Sequence, residues 1–410
     1  MKSNVRSRSV VSNILIFIFL YIYLYNPIFV FVKIGLIKVL LLFSFIFIIK
    51  NWGKLKRYLE DYGEVLKLLL FSIIYCFIVI LLNSGNANTP YTMFVWLLET
   101  TFIPMFLIKQ VFLKYKLSLL GSLLPISIIA ACISLFLLIN PSINDFVLGG
   151  IIEKPFENNL GVWSRCFGIA EGLTNSYGII QGIFASICLL KGRESAKYYL
   201  FAILISISVI INARTGIIPI AIALLYVLFK SIKGGQIKFF IFIVLSTIVV
   251  INIVSQYEEE ISDTISYVTA FFTSTYDYFI KGETGDDYYS SLDGFIHFPQ
   301  SFFGVLFGEG RTMFGDKNMG SDIGYVNQIY TGGLIYLITL IAIQFKIYGK
   351  IYRRCKEHFF VILLFLTAFI INFKGIPFCV SESFTRFVML FYFVLLHNRM
   401  YPNNPIKLGL

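Results

Sequence analysis

The chain has 410 residues, of which 57% are hydrophobic and only 14% charged, and its mean hydropathy is +0.79. Soluble domains carry about 25% charged residues, so the charge needed to cover a water-facing surface is missing and a soluble enzyme or binding module is excluded. The net charge of +11 invites a polyanionic partner, but the placement of that charge, traced below, excludes nucleic acid as its explanation.

Runs such as Asn13 to Tyr25, Leu36 to Ile49 and Phe239 to Val254 are almost free of charge. A bilayer core needs about 20 apolar residues per helix, and fewer where neighbours shield the ends. Backbone in lipid must bond to itself, and these runs lack the polar–apolar alternation of barrel strands, so they read as helices. In chain order the predicted spans are 11–25, 34–49, 66–83, 91–108, 118–139, 172–190, 198–213, 216–230, 238–254, 323–345, 359–373 and 384–398. The fold class is therefore an all-α integral membrane protein of about twelve transmembrane helices, forming one polytopic domain over 1–410.

With the N-terminus in the cytoplasm, the inner segments 1–10, 50–67, 109–117, 191–197, 230–238, 346–357 and the tail after 398 hold 24 of the 34 Lys and Arg residues. This is the positive-inside bias of a bacterial inner membrane protein with both termini cytoplasmic. The basicity reports orientation. The start of the chain mimics a signal peptide, but no small-residue cleavage site precedes Asn26-Pro27, so an uncleaved first helix is expected. The six Cys (76, 132, 166, 188, 355 and 379) have no metal-like spacing and read as isolated thiols, with a Cys166–Cys379 pair on the outer side as the alternative.

Most connections are short. Two long ones are placed outside, Asn140 to Glu171 and Ser255 to Asp322, the second 68 residues long and therefore of the length usually reserved for function. This periplasmic loop between the ninth and tenth spans holds twelve acidic against three basic residues, in a chain otherwise basic. Apolar residues recur every three or four positions between Ile261 and Phe279, which predicts amphipathic helices on the membrane. Tyrosines such as Tyr257, Tyr267, Tyr288 and Tyr289 suit either sugar stacking or interfacial anchoring.

Cations outside the membrane run against the topological bias and are therefore informative. Arg165 lies in Trp163-Ser-Arg-Cys-Phe-Gly-Ile-Ala-Glu-Gly172, ahead of the sixth span. Arg214 lies in Asn212-Ala-Arg-Thr-Gly216, a tight turn between the seventh and eighth. Arg311 follows Leu306-Phe-Gly-Glu-Gly310. Guanidinium groups grip phosphate oxygens in bidentate fashion, and weak solvent competition at a membrane boundary strengthens the grip. Snorkelling to lipid headgroups is the alternative for any one of them.

These residues resemble the O-antigen polymerase and O-antigen ligase superfamily. Arg165 with Gly168 and Glu171, then Asn212 to Gly216, look like its two arginine motifs. Gly304 to Gly310 before Arg311, then Ser321-Asp322 through Tyr330-Thr-Gly332-Gly333, look like its large-loop exit into the next helix. The resemblance covers roughly 160 to 335. It implies a metal-independent glycosyltransferase without cofactor, with its active site at the periplasmic face and a glycan on undecaprenyl pyrophosphate as donor. The acceptor is another lipid-linked repeat unit in the polymerases and lipid A-core in the ligases. A chain-length regulator and a flippase are implied partners. Ligases of the family place a His where the large loop enters the tenth span; here Ser321-Asp322 stands there, which favours the polymerase.

The expected chemistry uses Arg165, Arg214 and Arg311 to bind the pyrophosphate and stabilise the charge growing on it. A carboxylate accepts the proton of the attacking hydroxyl. Asp322 is the first candidate for this base and Glu171 the second, although Asp322 equally suits a helix cap and Glu171 a pairing with Arg165. Among weaker candidates, His297 is the outer histidine, in a Phe-Ile-His-Phe-Pro turn. Glu99 is an intramembrane acid, a functional candidate or a partner for Thr or Ser on a neighbouring helix. Arg386 stands one turn from Glu382, where a local ion pair competes with a place in the phosphate site. A lipid-linked oligosaccharide flippase would also need cations for pyrophosphate, but would show matching halves and mid-membrane charge.

Overall fold

Apolar runs of this length leave the backbone in lipid one economical way to satisfy its N–H and C=O groups, the α-helix. The computed structural model describes residues 10–83, 88–152, 168–170, 174–212, 214–233, 297–311, 323–373, 378 and 382–410; for 54–55, 174–175, 214 and 232–233 it describes the main chain only. The helices are α1 (Val10–Tyr25), α2 (Leu36–Lys50), α3 (Trp52–Leu82), α4 (Asn88–Leu107, continued by a π-helical stretch Ile108–Leu113), α5 (Leu119–Ile139), α6 (Pro141–Phe146), α7 (Thr174–Lys191), α8 (Lys197–Ile210), α9 (Ile217–Lys233), α10 (Phe302–Phe307), α11 (Gly324–Arg354), α12 (His358–Asn372) and α13 (Ser383–Met400). The described residues contain no strand, only isolated bridges such as Ile28 to Gly35. Each predicted span coincides with a helix except 238–254, which lies outside the described residues.

Four helical stretches, Lys56–Leu82, Asn88–Leu113, Leu119–Ile139 and Gly324–Arg354, are long and apolar enough to cross a membrane; shorter apolar helices accompany them. Large apolar side chains face outward, among them Leu42 and Phe43 on α2, Phe71 and Leu81 on α3, and Ile338 and Phe345 on α11. Glu99, Gln181, Gln328 and Arg386 are buried. Such a polarity inversion is expected where lipid wets the outside and polar groups find partners within.

Two helices extend beyond their predicted spans for one shared reason. α3 begins at Trp52 rather than 66, and α11 runs to Arg354 rather than 345. Their charged turns pair with one another: Lys346 Nζ meets Glu64 Oε2 at 3.0 Å and Arg354 Nη2 meets Asp61 Oδ2 at 2.7 Å. Segments expected as polar connections are helical because their charges are complementary across the α3–α11 seam.

Contacts sort the helix ends into two groups. At one end, Tyr23 Oη donates to Arg386 O at 2.7 Å, Trp96 Nε1 to Thr385 Oγ1 at 3.4 Å, and Asn212 Nδ2 to Ser134 Oγ at 2.9 Å. At the other, Tyr58 Oη lies 2.6 Å from His397 Nδ1, Leu119 N donates to Lys407 O at 2.9 Å, and Lys191 Nζ donates to Gly409 O at 2.9 Å. Successive described long helices run alternately between these ends. Of the sequence-predicted site residues that are described, His297, Arg311, Arg386 and the Arg214 turn belong to the first end, and Glu99 lies midway along Asn88–Leu113.

Candidate functional site

Of the long connection 255–322 only 297–311 is described, and the amphipathic helices expected at 261–279 lie outside the described residues. Within 297–311, Ser301 caps the short helix α10 by accepting from Gly304 N at 2.9 Å. The chain then leaves α10 through Gly308 and Gly310, both in the left-handed region at φ +86° and +66°, where glycine carries no Cβ penalty. Gly310 sits against the end of α3, so that a Cβ there would lie 3.0 Å from Val79 O. Tyr75 Oη donates to Phe307 O at 3.2 Å and pins the same stretch to α3.

α11 receives this segment at a break. Gly333 has φ +71° and ψ −171° inside the helix. Here the Tyr330 carbonyl accepts from Glu309 N at 2.9 Å and from Arg311 N at 3.4 Å. The Tyr330 ring adjoins two sequence-predicted candidates: the Arg311 guanidinium is 5.3 Å from its centroid and the His297 ring 5.6 Å. Arg311 Nε also pairs with Glu309 Oε2 at 2.9 Å, with the two side chains 43% and 29% exposed. A cation fixed over an aromatic face, still open to solvent, is held in place without being neutralised beyond reach of a further anion. The stretch Gly304 to Arg311 and the stretch Tyr330 to Gly333, separate in the sequence motif, are thus one physical unit.

The second arginine motif is built on α5 and α7. Arg214–Gly216 forms a 3₁₀ turn between α8 and α9, the turn expected from the sequence; the Arg214 side chain lies outside the described residues. Asn212 is fully buried, donating to Ser134 Oγ at 2.9 Å and to Ser208 O at 2.8 Å. Gly216 and Pro219 press on α7 where Gly178 and Gly182 leave room; a Cβ on Gly216 would collide with the Gly178 carbonyl, and one on Gly182 would lie 2.9 Å from Pro219 Cγ. α7 is in turn tied to α5 by Gln181, which donates to Ser127 O at 3.2 Å and to Tyr177 Oη at 3.1 Å.

The first arginine motif touches the same place. Gly168, at φ +63°, packs on Ile133 and Ser134, so that a Cβ on it would lie 3.7 Å from Ser134 N. Ile169 O accepts from Tyr21 Oη at 2.7 Å. Both motifs thus meet the same turn of α5, Gly168 packing on Ile133 and Asn212 bonding to Ser134. Arg165, Glu171 and Asp322 lie outside the described residues. Asp322 precedes by one residue Ile323, the N-cap of α11. Cys166 and Cys379 lie outside them as well.

The weaker candidates Glu99 and Arg386 share an environment. Arg386 is fully buried on α13, donating through Nη2 to Leu24 O at 3.3 Å and to Ser383 Oγ at 3.2 Å. Glu99 is buried on α4, one turn from Trp96, whose Nε1 donates to Oγ1 of Thr385 beside Arg386 at 3.4 Å. Ser383 also joins α13 to the start of α7, its N–H donating to Ser176 Oγ at 3.0 Å. Sequence reasoning missed Glu309 and Tyr330 as partners of Arg311, and the Ile133–Ser134 turn of α5 as the place where both motifs meet. Glu309 and Tyr330 both lay within the quoted motifs, but no local pattern pairs them with Arg311, and a buried serine in an apolar span carries no signal of its own.

Among the described residues no group of three or more His, Cys, Asp or Glu side chains could hold a metal ion. The chain matches no family model and no curated protein.

Proposed function

We propose that the chain is a polysaccharide repeat-unit polymerase of a bacterial inner membrane, with about twelve spans, cytoplasmic termini and the arginine-bearing end at the periplasmic face. The observation that carries this reading is the docking of Gly308-Glu-Gly-Arg311 on the broken helix at Tyr330–Gly333. It joins the two halves of the large-loop motif and presents a solvent-open guanidinium. The Asn212–Gly216 turn, bonded to Ser134, and Gly168, packed on the neighbouring Ile133 at the same end of the bundle, support it.

In this mechanism the arginines bind the pyrophosphate of an undecaprenyl-linked glycan. A hydroxyl of a second lipid-linked repeat unit attacks C1 of the donor sugar. The new C1–O bond forms as the bond from C1 to the phosphate oxygen breaks, undecaprenyl pyrophosphate leaves, and the hydroxyl proton passes to a carboxylate, with Asp322 first and Glu171 second. A single displacement inverts the anomeric centre. Arginines aimed at the leaving pyrophosphate act where charge grows in the transition state.

The test is the glycan profile of a deletion strain on a gel that resolves lipopolysaccharide lengths. A core bearing one repeat unit, restored to a ladder by the gene, supports the polymerase. Bare core with polymer accumulating on its lipid carrier would replace this reading with a ligase, and loss of periplasmic repeat units with a flippase.

A further inference from the structure

The end of the bundle opposite the arginine motifs contains a cavity of about 970 Å³ between α3, α11, α13 and the C-terminal tail. Its wall carries six cationic side chains, Lys350, Arg353, Arg354, Lys356, Arg399 and Lys407, against two side-chain carboxylates, Asp61 and Glu357, and the main-chain carboxylate of Leu410. Asp61 serves three of the six: Arg354 at 2.7 Å, Arg399 at 3.4 Å and Lys350 at 3.9 Å. Arg353, Lys356 and Lys407 are exposed and, among the described residues, have no carboxylate within ion-pair distance.

The wall is held rigidly. Asn398 clamps the tail twice, Nδ2 donating to Ile406 O at 2.8 Å and Oδ1 accepting from Ile406 N at 2.7 Å. Leu119 N and Leu120 N then donate to Lys407 O and Leu408 O at 2.9 and 3.0 Å. Positive-inside bias explains cations scattered over connections on one side of a membrane. It does not explain a tail folded back and fastened so as to close a concave wall with a further lysine. Like charges so gathered repel one another, and an anion placed among them removes that cost. Guanidinium forks and lysine ammoniums together suit a group with several oxygens and more than one negative charge, which is a phosphate rather than a lone carboxylate. The volume falls in the range of ligand sites, about 300–1,000 Å³, and Leu395 and Leu408 add an apolar patch to the wall.

We propose that this cavity binds a phosphate-bearing anion, seated on Arg353, Lys356 and Lys407 and backed by the Asp61-organised cations. A phospholipid headgroup and a soluble pyrophosphate share that chemistry. The site is remote from the arginine motifs, so it stands or falls independently of the polymerase reading.

The test uses the purified full chain in a neutral detergent, its thermal midpoint followed in separate titrations with inorganic pyrophosphate, dioctanoyl phosphatidylglycerol and dioctanoyl phosphatidylcholine. A saturable rise with phosphatidylglycerol alone identifies a lipid headgroup site, and a rise with pyrophosphate a soluble-phosphate site. Phosphatidylcholine, which has no net charge, should give no matching rise. The triple variant Arg353→Gln, Lys356→Gln, Lys407→Gln changes only exposed side chains and should weaken the response by roughly tenfold or more, the loss of at least one charge-assisted contact. Lys356→Gln alone should weaken it less, which keeps the test open if the triple variant fails to fold. Lys114→Gln, outside the cavity, should leave it unchanged. The proposal is overturned if neither phosphate anion exceeds phosphatidylcholine, if the folded cavity variants respond like the parent, or if Lys114→Gln weakens binding as much as Lys356→Gln.

Discussion

Gly308 and Gly333 meet backbone to backbone: a Cβ on Gly308 would lie 2.6 Å from Gly333 N, and a Cβ on Gly333 would lie 2.6 Å from Gly308 N. Both residues hold positive φ, so each is a glycine for two reasons, conformation and space. This contact seats Arg311 over Tyr330.

Gly333→Ala should therefore destabilise the protein by about 1–3 kcal/mol from strain alone, and more from the clash. Gly349 on the same helix has open space around the position of a Cβ. Gly349→Ala should be neutral or stabilising by up to about 1 kcal/mol, since alanine is the better helix former. Thermal unfolding of the two variants side by side checks this; equal midpoints would remove the break at Gly333 as a structural necessity.

Arg311→Ala and Arg311→Lys should leave stability almost unchanged, because an exposed ion pair contributes about 0–1 kcal/mol. Under the polymerase reading, product should fall on the order of 10²-fold when a group stabilising the leaving charge is removed. Lysine should rescue poorly, since it cannot form the planar fork. Glycan ladders from strains with matched protein levels provide the measurement, and a wild-type ladder from Arg311→Ala would remove Arg311 from the site.

Arg386 and Glu99 should be energetically coupled through the buried space around Tyr23. Arg386→Gln removes a buried cation from its bonds to Leu24 O and Ser383 Oγ and should cost about 1–3 kcal/mol. Adding Glu99→Gln should recover part of that loss, giving a coupling of about 0.5–3 kcal/mol in a double-mutant cycle. Strict additivity in denaturation experiments would separate the two residues.

The assignment of ends to membrane faces is accessible by labelling. In a cysteine-less background, Arg311→Cys should react with an impermeant maleimide on intact spheroplasts, whereas Lys407→Cys should react only after permeabilisation. The reverse pattern would invert the proposed orientation and place the arginine motifs in the cytoplasm.

Helix positions were legible because an uninterrupted apolar run states its own length. Where charge interrupted the run, as at Lys56 to Glu64 and Lys346 to Arg354, the sequence read as connection. The pairing that makes those turns helical joins residues almost 300 positions apart, which no local pattern reports. The turn at Arg214 was legible from Asn212 and Gly216, residues that favour turns by their own chemistry. That Gly168 and Asn212 meet the same Ile133–Ser134 turn of α5 was not, since neighbourhood between helices is set by packing. Arg386 shows the same limit: its spacing from Glu382 suggested a local pair, yet its guanidinium also reaches across to Leu24 O on α1.

The meeting of the Gly216 turn with Gly178 on α7 bears on how this protein can diverge. Main-chain atoms touch there, so the constraint is volume rather than chemistry, and a serine is excluded as firmly in kind as a leucine. Relatives adapted to different ligands would be free to vary the side chains around the mouth of the bundle while keeping glycine at 182 and 216. Invariance at these positions would then record a mechanical requirement shared by the whole lineage.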